Sequence, residues 1–208
     1  MNTRELLALS PIVPVMVVTD LDDIVPAAQA LFDGGIRAFE ITLRTPMALE
    51  AIRVLNQALP AEAVVGAGTI TNPAQLQDAI AAGARFGVSP GLTADLAQVI
   101  QATDLPFLPG IASASELMQA LDWGFDTLKL FPAEAIGGVN LLKALAGPFA
   151  QARFCPTGGI HAGNAPDYLS LNNVLAVGGS WVLPQDKMLQ HDWQGIRELA
   201  QAACALKA

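Results

Sequence analysis

The run Asp126-Thr127-Leu128-Lys129-Leu130-Phe131-Pro132 places a single ammonium inside an otherwise apolar segment that reads as a buried strand. Alternation along an extended chain sends Thr127, Lys129 and Phe131 to one face, with Leu128 and Leu130 on the other. Burial disfavours the charged form of a lysine, and a neutral amine attacks carbonyl carbon, so Lys129 is a candidate catalytic nucleophile. The same residues also suit an edge strand whose lysine head reaches out to water. What surrounds this strand in the chain bears on that choice.

Outward from it in both directions, β-rich runs alternate with Ala- and Leu-rich helical runs. Eight candidate strands lie at residues 12–18, 38–43, 63–69, 85–89, 106–110, 127–131, 153–157 and 174–178. Their starts recur about every 20 to 26 residues, room for a strand, a loop, a helix and a return loop, which is the signature of βα units and a parallel sheet. Helix starts are signalled by Asp22 before Ile24, by Asn72-Pro73, by Thr93 with Asp95, and by Ser113 with Glu116 as a capping box. Gly34-Gly35, Gly83 and Gly124 close helical runs. No linker, low-complexity tract or charge run divides the chain. Eight βα units predict an α/β protein with a single-domain (β/α)8 TIM barrel over residues 1–208, with a doubly wound open sheet as the alternative.

The composition fits one core: of 208 residues, 52% are hydrophobic and 14% charged. A net charge of -8 with eleven scattered Lys and Arg leaves no basic stripe, which argues against nucleic acid or an anionic membrane as partner. Glu5, Pro11 and Pro14 interrupt any signal-peptide core after Arg4, and no apolar run reaches membrane-spanning length, so a cytoplasmic location is expected. Cys155 and Cys204 have no CxxC spacing and are expected as buried thiols. His161 and His191 stand without partners at ligand spacing, so they read as surface or loop residues and no metal site is expected. Trp123 and Trp193 fall at helix ends, where packing or subunit contact is the expectation.

Barrels carry their active sites at the C-terminal ends of the strands. Arg37, Arg85 and Arg153 fall at candidate strand beginnings, whereas Arg44 and Lys129 fall at or near strand ends. In the second candidate strand, alternation turns Ala38, Glu40 and Thr42 inward and Phe39, Ile41 and Leu43 toward the helices. Glu40 therefore shares a lumen with Lys129, either as a proton-transfer group or in a structural ion pair with Lys129 or Arg44. Gly158-Gly159 and Gly179-Ser180 follow the seventh and eighth candidate strands, where barrels bind phosphate through backbone amides and a helix N-terminus. Singly, each glycine pair also reads as an ordinary βα turn.

Taken together, Glu40-Ile41-Thr42-Leu43-Arg44-Thr45, Gly66-Ala67-Gly68-Thr69, Ser89-Pro90-Gly91, Lys129-Leu130-Phe131-Pro132-Ala133-Glu134, Pro156-Thr157-Gly158-Gly159-Ile160 and Val177-Gly178-Gly179-Ser180 resemble the 2-keto-3-deoxy-6-phosphogluconate aldolases, the class I KDPG/KHG aldolase family of the Entner-Doudoroff pathway. The resemblance covers nearly the whole chain. It implies a lyase with no cofactor and no metal, in which Lys129 forms a Schiff base with the substrate ketone and Glu40 transfers protons. It further implies that Arg44 and Thr69 hold the pyruvate carboxylate, and that Pro90 and Phe131 wall the pyruvate pocket. Gly158, Gly159, Gly179 and Ser180 would bind the phosphate, with Trp181 at the edge of that turn. Thr157 and Arg44 favour the gluconate substrate over its galactonate epimer. The implied partners are a phosphorylated sugar acid, pyruvate and two further copies of the chain in a homotrimer, with a side activity on 4-hydroxy-2-oxoglutarate. Read without the resemblance, Arg44 suits a rim salt bridge, Thr69 a helix cap, and Pro90 and Phe131 core packing. Two other readings stand beside it: a phosphosugar isomerase or epimerase working with paired acids or a metal, and a non-catalytic phosphometabolite-binding barrel.

Overall fold

Among the described residues, short runs of small and β-branched residues form nine parallel strands, and the Ala-rich amphipathic runs between them form helices. The computed structural model describes residues 1–207, so the last residue of the expected domain lies outside the described residues. The strands are β1 (Ile12–Met16), β2 (Ala38–Thr42), β3 (Val64–Gly68), β4 (Gly87–Val88), β5 (Phe107–Leu108), β6 (Gly110–Ile111), β7 (Thr127–Leu130), β8 (Arg153–Pro156) and β9 (Val177–Gly179). The helices are α1 (Thr3–Leu7), α2 (Leu21–Asp33), α3 (Ala48–Ala58), α4 (Pro73–Ala81), α5 (Ala94–Gln101), α6 (Ala114–Asp122), α7 (Gly138–Ala146), α8 (Ala165–Leu169), α9 (Gln185–Leu189) and α10 (Trp193–Cys204).

The strands form two parallel sheets, one ordered β5-β4-β3-β2-β1-β9 and the other β6-β7-β8. β5 and β6 are the two halves of one candidate strand, separated by Pro109, whose carbonyl accepts from the Lys129 amide at 2.8 Å. Between β8 and β9 run two isolated parallel bridges, Phe154 with Val174 and Thr157 with Gly178. The last candidate strand becomes regular only at Val177.

Alternation sorts the side chains as the sequence predicts. Phe39, Ile41, Leu128 and Leu130 join the larger apolar core shared with the helices, while Ala38 and Cys155 join a second, inner cluster. That inner cluster also holds Val13, Val64, Phe86, Val88, Leu108 and Ala176. It is completed by Leu6 and Leu7 of α1, a helix the sequence reading did not anticipate. Asn2 and Glu5 cap α1 reciprocally, and Arg4 ties it to Thr127, Asp126 and the Gln151 carbonyl. Each of the two buried leucines contributes roughly 1.5–3 kcal/mol of transfer free energy.

Helix entries follow the expected chemistry at Asn72, Thr93 and Ser113, whose side chains accept from Gln75, Leu96 and Glu116 amides. Two details differ. The cap of α2 is Asp20, and Asp22 instead donates its amide to that carboxylate. Glu116 reaches past the Ser113 cap to the Ala112 amide at 2.6 Å. Cys155 is buried and Cys204 half-buried, both as free thiols. Among the described residues, no helix is long and apolar enough to cross a membrane.

Candidate active site

Lys129 sits in β7 with 5% of its surface exposed, and Glu40 sits in β2 with 2%. Extended backbone puts both side chains inside, and Lys129 Nζ lies 3.3 Å from Glu40 Oε1. The edge-strand reading of Lys129 is thereby excluded: β7 is paired on both sides, Lys129 with Gly110 and with Cys155. A buried ion pair offsets its desolvation only with good geometry, so such a pair is weak evidence for a stabilising role. A direct contact does let a proton pass between amine and carboxylate, which leaves a neutral nucleophile. Lys129 Nζ also lies 5.4 Å from the centre of the Phe131 ring.

Cys155 neighbours this pair from the adjacent strand. Burial pushes its thiol up from 9.0 to about 12, with Lys129 opposing and Glu40 assisting. It stays a thiol at neutral pH, a packing residue rather than a second nucleophile.

A cavity of about 200 Å³ is lined by Arg44, Phe131, Thr157, Gly158, Gly159, Gly178, Gly179 and Ser180, together with Val15, Val17 and Ile160. Eleven residues from the ends of five strands, β1, β2, β7, β8 and β9, thus meet around one space, and Phe131 joins it to the lysine. Thr157 follows β8; its amide donates to the Leu130 carbonyl at 2.9 Å and its carbonyl accepts from Ala133 at 2.8 Å, stitching β7 to β8 at the mouth. Gly158 and Gly159 hold φ of 101° and 78°, a left-handed pair that side-chain-bearing residues resist. The Gly158 carbonyl accepts from the Glu134 amide, and the Gly159 carbonyl from the Asn164 side chain. At the β9 end the Trp181 indole lies over Gly179, where an added Cβ would come within 2.0 Å of the ring. The helices after these turns, α8 and α9, have five residues each, so neither offers a long helix dipole at the cavity.

Thr69 and Pro90 close β3 and β4 but are not among the residues lining that cavity. Thr69 has φ 61°, a left-handed conformation uncommon for a β-branched residue, which persists only where the surrounding structure enforces it. Here Gly68 O accepts from Leu43 N at 2.8 Å and Ile70 N donates to Val88 O at 3.1 Å, pinning the peptides on either side. Thr69 is no helix cap, since Asn72 caps α4. Arg44 is exposed at the rim and, among the described residues, has no carboxylate within ion-pair distance; the rim salt bridge is not formed. His161 and His191 are exposed, the latter 3.0 Å from Asp23, and no cluster of metal-ligating side chains occurs among the described residues. Val15 and Val17 were missed by the sequence reading, although the alternation that turns Val13 inward continues to both.

A parallel α/β fold with a buried lysine and carboxylate in contact between two of its strands, beside a glycine-lined cavity, presents the amine and the proton-transfer group that a Schiff-base type of site requires. Residues 3–199 match the family model for KDPG and KHG aldolase, and the chain belongs to that family. It is 50% identical over 204 residues to 2-dehydro-3-deoxy-phosphogluconate aldolase of Dickeya dadantii, covering 98% of this chain and 95% of that one. Among solved structures it is similar to the KDPG aldolase of Legionella pneumophila with pyruvate captured as a covalent carbinolamine intermediate (TM-score 0.95, 46% identity, 98% of each chain). It is also similar to the 2-keto-3-deoxy-6-phosphogluconate aldolase of Zymomonas mobilis with 3-phosphoglycerate (TM-score 0.94, 48% identity, 99% of this chain and 96% of that one).

Proposed function

We propose that this chain is a class I aldolase that cleaves 2-dehydro-3-deoxy-6-phosphogluconate to pyruvate and glyceraldehyde 3-phosphate, with 4-hydroxy-2-oxoglutarate as a side substrate. The observation that carries the reading is the buried 3.3 Å contact between Lys129 Nζ and Glu40 Oε1 in a chain of this family. With its proton passed to Glu40, the Lys129 amine adds to the keto carbon; Glu40 returns that proton to the carbinolamine hydroxyl, which leaves as water, giving a protonated imine that draws electrons from the bond between the third and fourth carbons and a Glu40 carboxylate free to act as base. Glu40 takes the proton of the fourth-carbon hydroxyl as that bond breaks, releasing the phosphorylated aldehyde and leaving an enamine. Protonation of the enamine and hydrolysis of the imine return pyruvate and the free lysine.

Around this pair, Arg44 and Thr69 bind the carboxylate, Arg44 through its planar fork. Pro90 and Phe131 exclude water from the imine. Gly158, Gly159, Gly179 and Ser180 bind the phosphate through backbone amides, and Thr157 between the two ends selects the gluconate configuration. Support for the phosphate end comes from the two left-handed glycines and from the cavity they share with Gly179 and Ser180.

The architecture in this reading is one closed (β/α)8 barrel domain. Its support is the Thr157–Gly178 bridge between β8 and β9 and the continuity of β5 with β6 across Pro109. A cytoplasmic homotrimer is the assembly expected of it. The chemistry draws on the lysine rather than on a metal, so prolonged chelation should leave cleavage intact; metal-dependent loss and recovery would point to a different aldolase mechanism. The decisive test is borohydride reduction with pyruvate followed by peptide mapping: a stable adduct on Lys129 is expected. A label on Lys143 or Lys187, or none, would overturn the reading. The isomerase and binding-barrel alternatives give no adduct.

A further inference from the structure

The inward-facing row of β3 reads Val64, Gly66, Gly68, while the outward-facing residues Val65 and Ala67 pack in the helix-side core. The two glycines have different neighbours. A Cβ added at Gly66 would lie 2.3 Å from the Phe86 ring, deep in the inner apolar cluster. A Cβ added at Gly68 would lie 2.1 Å from Glu40 Oε1, 2.5 Å from its Cγ and 2.6 Å from its Cδ. Glu40 is directly paired with Gly66, and Thr42 with Gly68, so the Glu40 side chain leans one rung along the strand toward the open end and lies across position 68.

We propose that Gly68 is a positioning residue: its missing side chain is the space in which the Glu40 carboxylate lies against β3 within reach of Lys129. The role rests on Glu40 being the proton-transfer group of the Schiff-base reaction. β3 is held on one side by β2 and on the other by β4, so its backbone has no freedom to retreat from an added methyl group. The carboxylate is the mobile party. An alanine at 68 therefore displaces Glu40 from Lys129 while leaving the fold and the lysine in place.

The experiment is a double-mutant cycle on the full chain with Gly68→Ala, Glu40→Ala and both together, reading three quantities in each. These are the borohydride-trapped pyruvate adduct at Lys129, the exchange of pyruvate methyl protons with solvent, and the thermal midpoint. Gly68→Ala is expected to retain the adduct and to lose exchange by about a hundredfold, the size associated with ångström-scale misplacement of a reacting group. In the Glu40→Ala background the carboxylate is gone, so adding Gly68→Ala should change neither exchange nor thermal midpoint further. Should Gly68→Ala alone fold poorly, recovery of its midpoint in the double variant supports the role equally. Exchange near the wild-type rate in Gly68→Ala, or an equal additional loss in both backgrounds, overturns it. An absent adduct in the wild type would instead overturn the Schiff-base reading itself, and this role with it.

Discussion

At the N-terminal end of the strands the interior is filled: Leu6 and Leu7 of α1 share one apolar cluster with Val13, Val64 and Phe86, and Arg4 is tied by hydrogen bonds to Thr127, Asp126 and Gln151. At the C-terminal end the same strands supply Glu40, Gly68, Lys129, Thr157 and Gly178, and the space between the last of these is a cavity. Along β2 the inward row runs Ala38, Glu40, Thr42, and along β3 it runs Val64, Gly66, Gly68. One strand thus changes from apolar packing to a buried ionisable group within two residues. The difference teaches that the apolar plug pins the ends of the strands while their other ends hold a desolvated ion pair that packing alone would disfavour.

The comparison is broken most severely from the chemical end. Lys129→Arg keeps a cation in place but removes the ability to become a neutral amine, so cleavage and adduct formation should both vanish while the far-ultraviolet spectrum stays native. Residual cleavage at more than a trace would mean that another amine does the work. From the opposite end, Leu7→Ala should cost about 2–5 kcal/mol of unfolding free energy, read by urea denaturation, with cleavage per folded molecule unchanged. A large loss of turnover in that variant would show that the two ends are not separable.

Glu40→Gln keeps shape and hydrogen bonding but not the proton acceptor. Turnover at neutral pH should fall by roughly two orders of magnitude, measured by coupled release of pyruvate, and near-normal rates would remove Glu40 from the mechanism. The smallest expected effect at neutral pH belongs to Cys155, whose contribution shows only in alkaline solution. Its folded-state value of about 12 lies above the ordinary 9.0, so the folded protein holds the proton more tightly. The associated stability is present below pH 9 and is lost as the pH rises toward 12, with a slope on the order of 1 kcal/mol per pH unit. Cys155→Ala should flatten the fall of thermal midpoint over that alkaline range relative to wild type. Parallel curves for the two proteins would contradict the burial of this thiol.

Much of the fold was legible because it depends on period. The alternation in residues 38–43 and 127–131 separated inward from outward side chains correctly, since a strand has only two faces. Asn72, Thr93 and Ser113 were legible as caps because a short polar side chain before an apolar helical run has few other uses. Strand lengths were overestimated at residues 85–89 and 174–178, where pairing depends on the neighbouring strand rather than on the residues themselves. α1 escaped notice because five residues carry too little periodicity to announce a helix; its reason to form is the hollow it fills.

For the candidate site, residue type, position near strand ends and family motifs singled out Lys129, Glu40, Arg44, Thr157 and the glycine turns, and the structure brings Lys129 to Glu40 and gathers the others around one cavity. A charged group in an apolar strand is unusual enough to stand out without coordinates. What only tertiary structure decided is distance and room. That Lys129 and Glu40 touch at 3.3 Å, that Thr69 is locked in a left-handed conformation, and that Gly68 leaves space for a carboxylate on the neighbouring strand all depend on pairings between segments far apart in sequence. Local sequence sets which face a side chain takes, but register between strands sets what it meets, because the sheet brings together residues whose separation along the chain carries no trace of their contact.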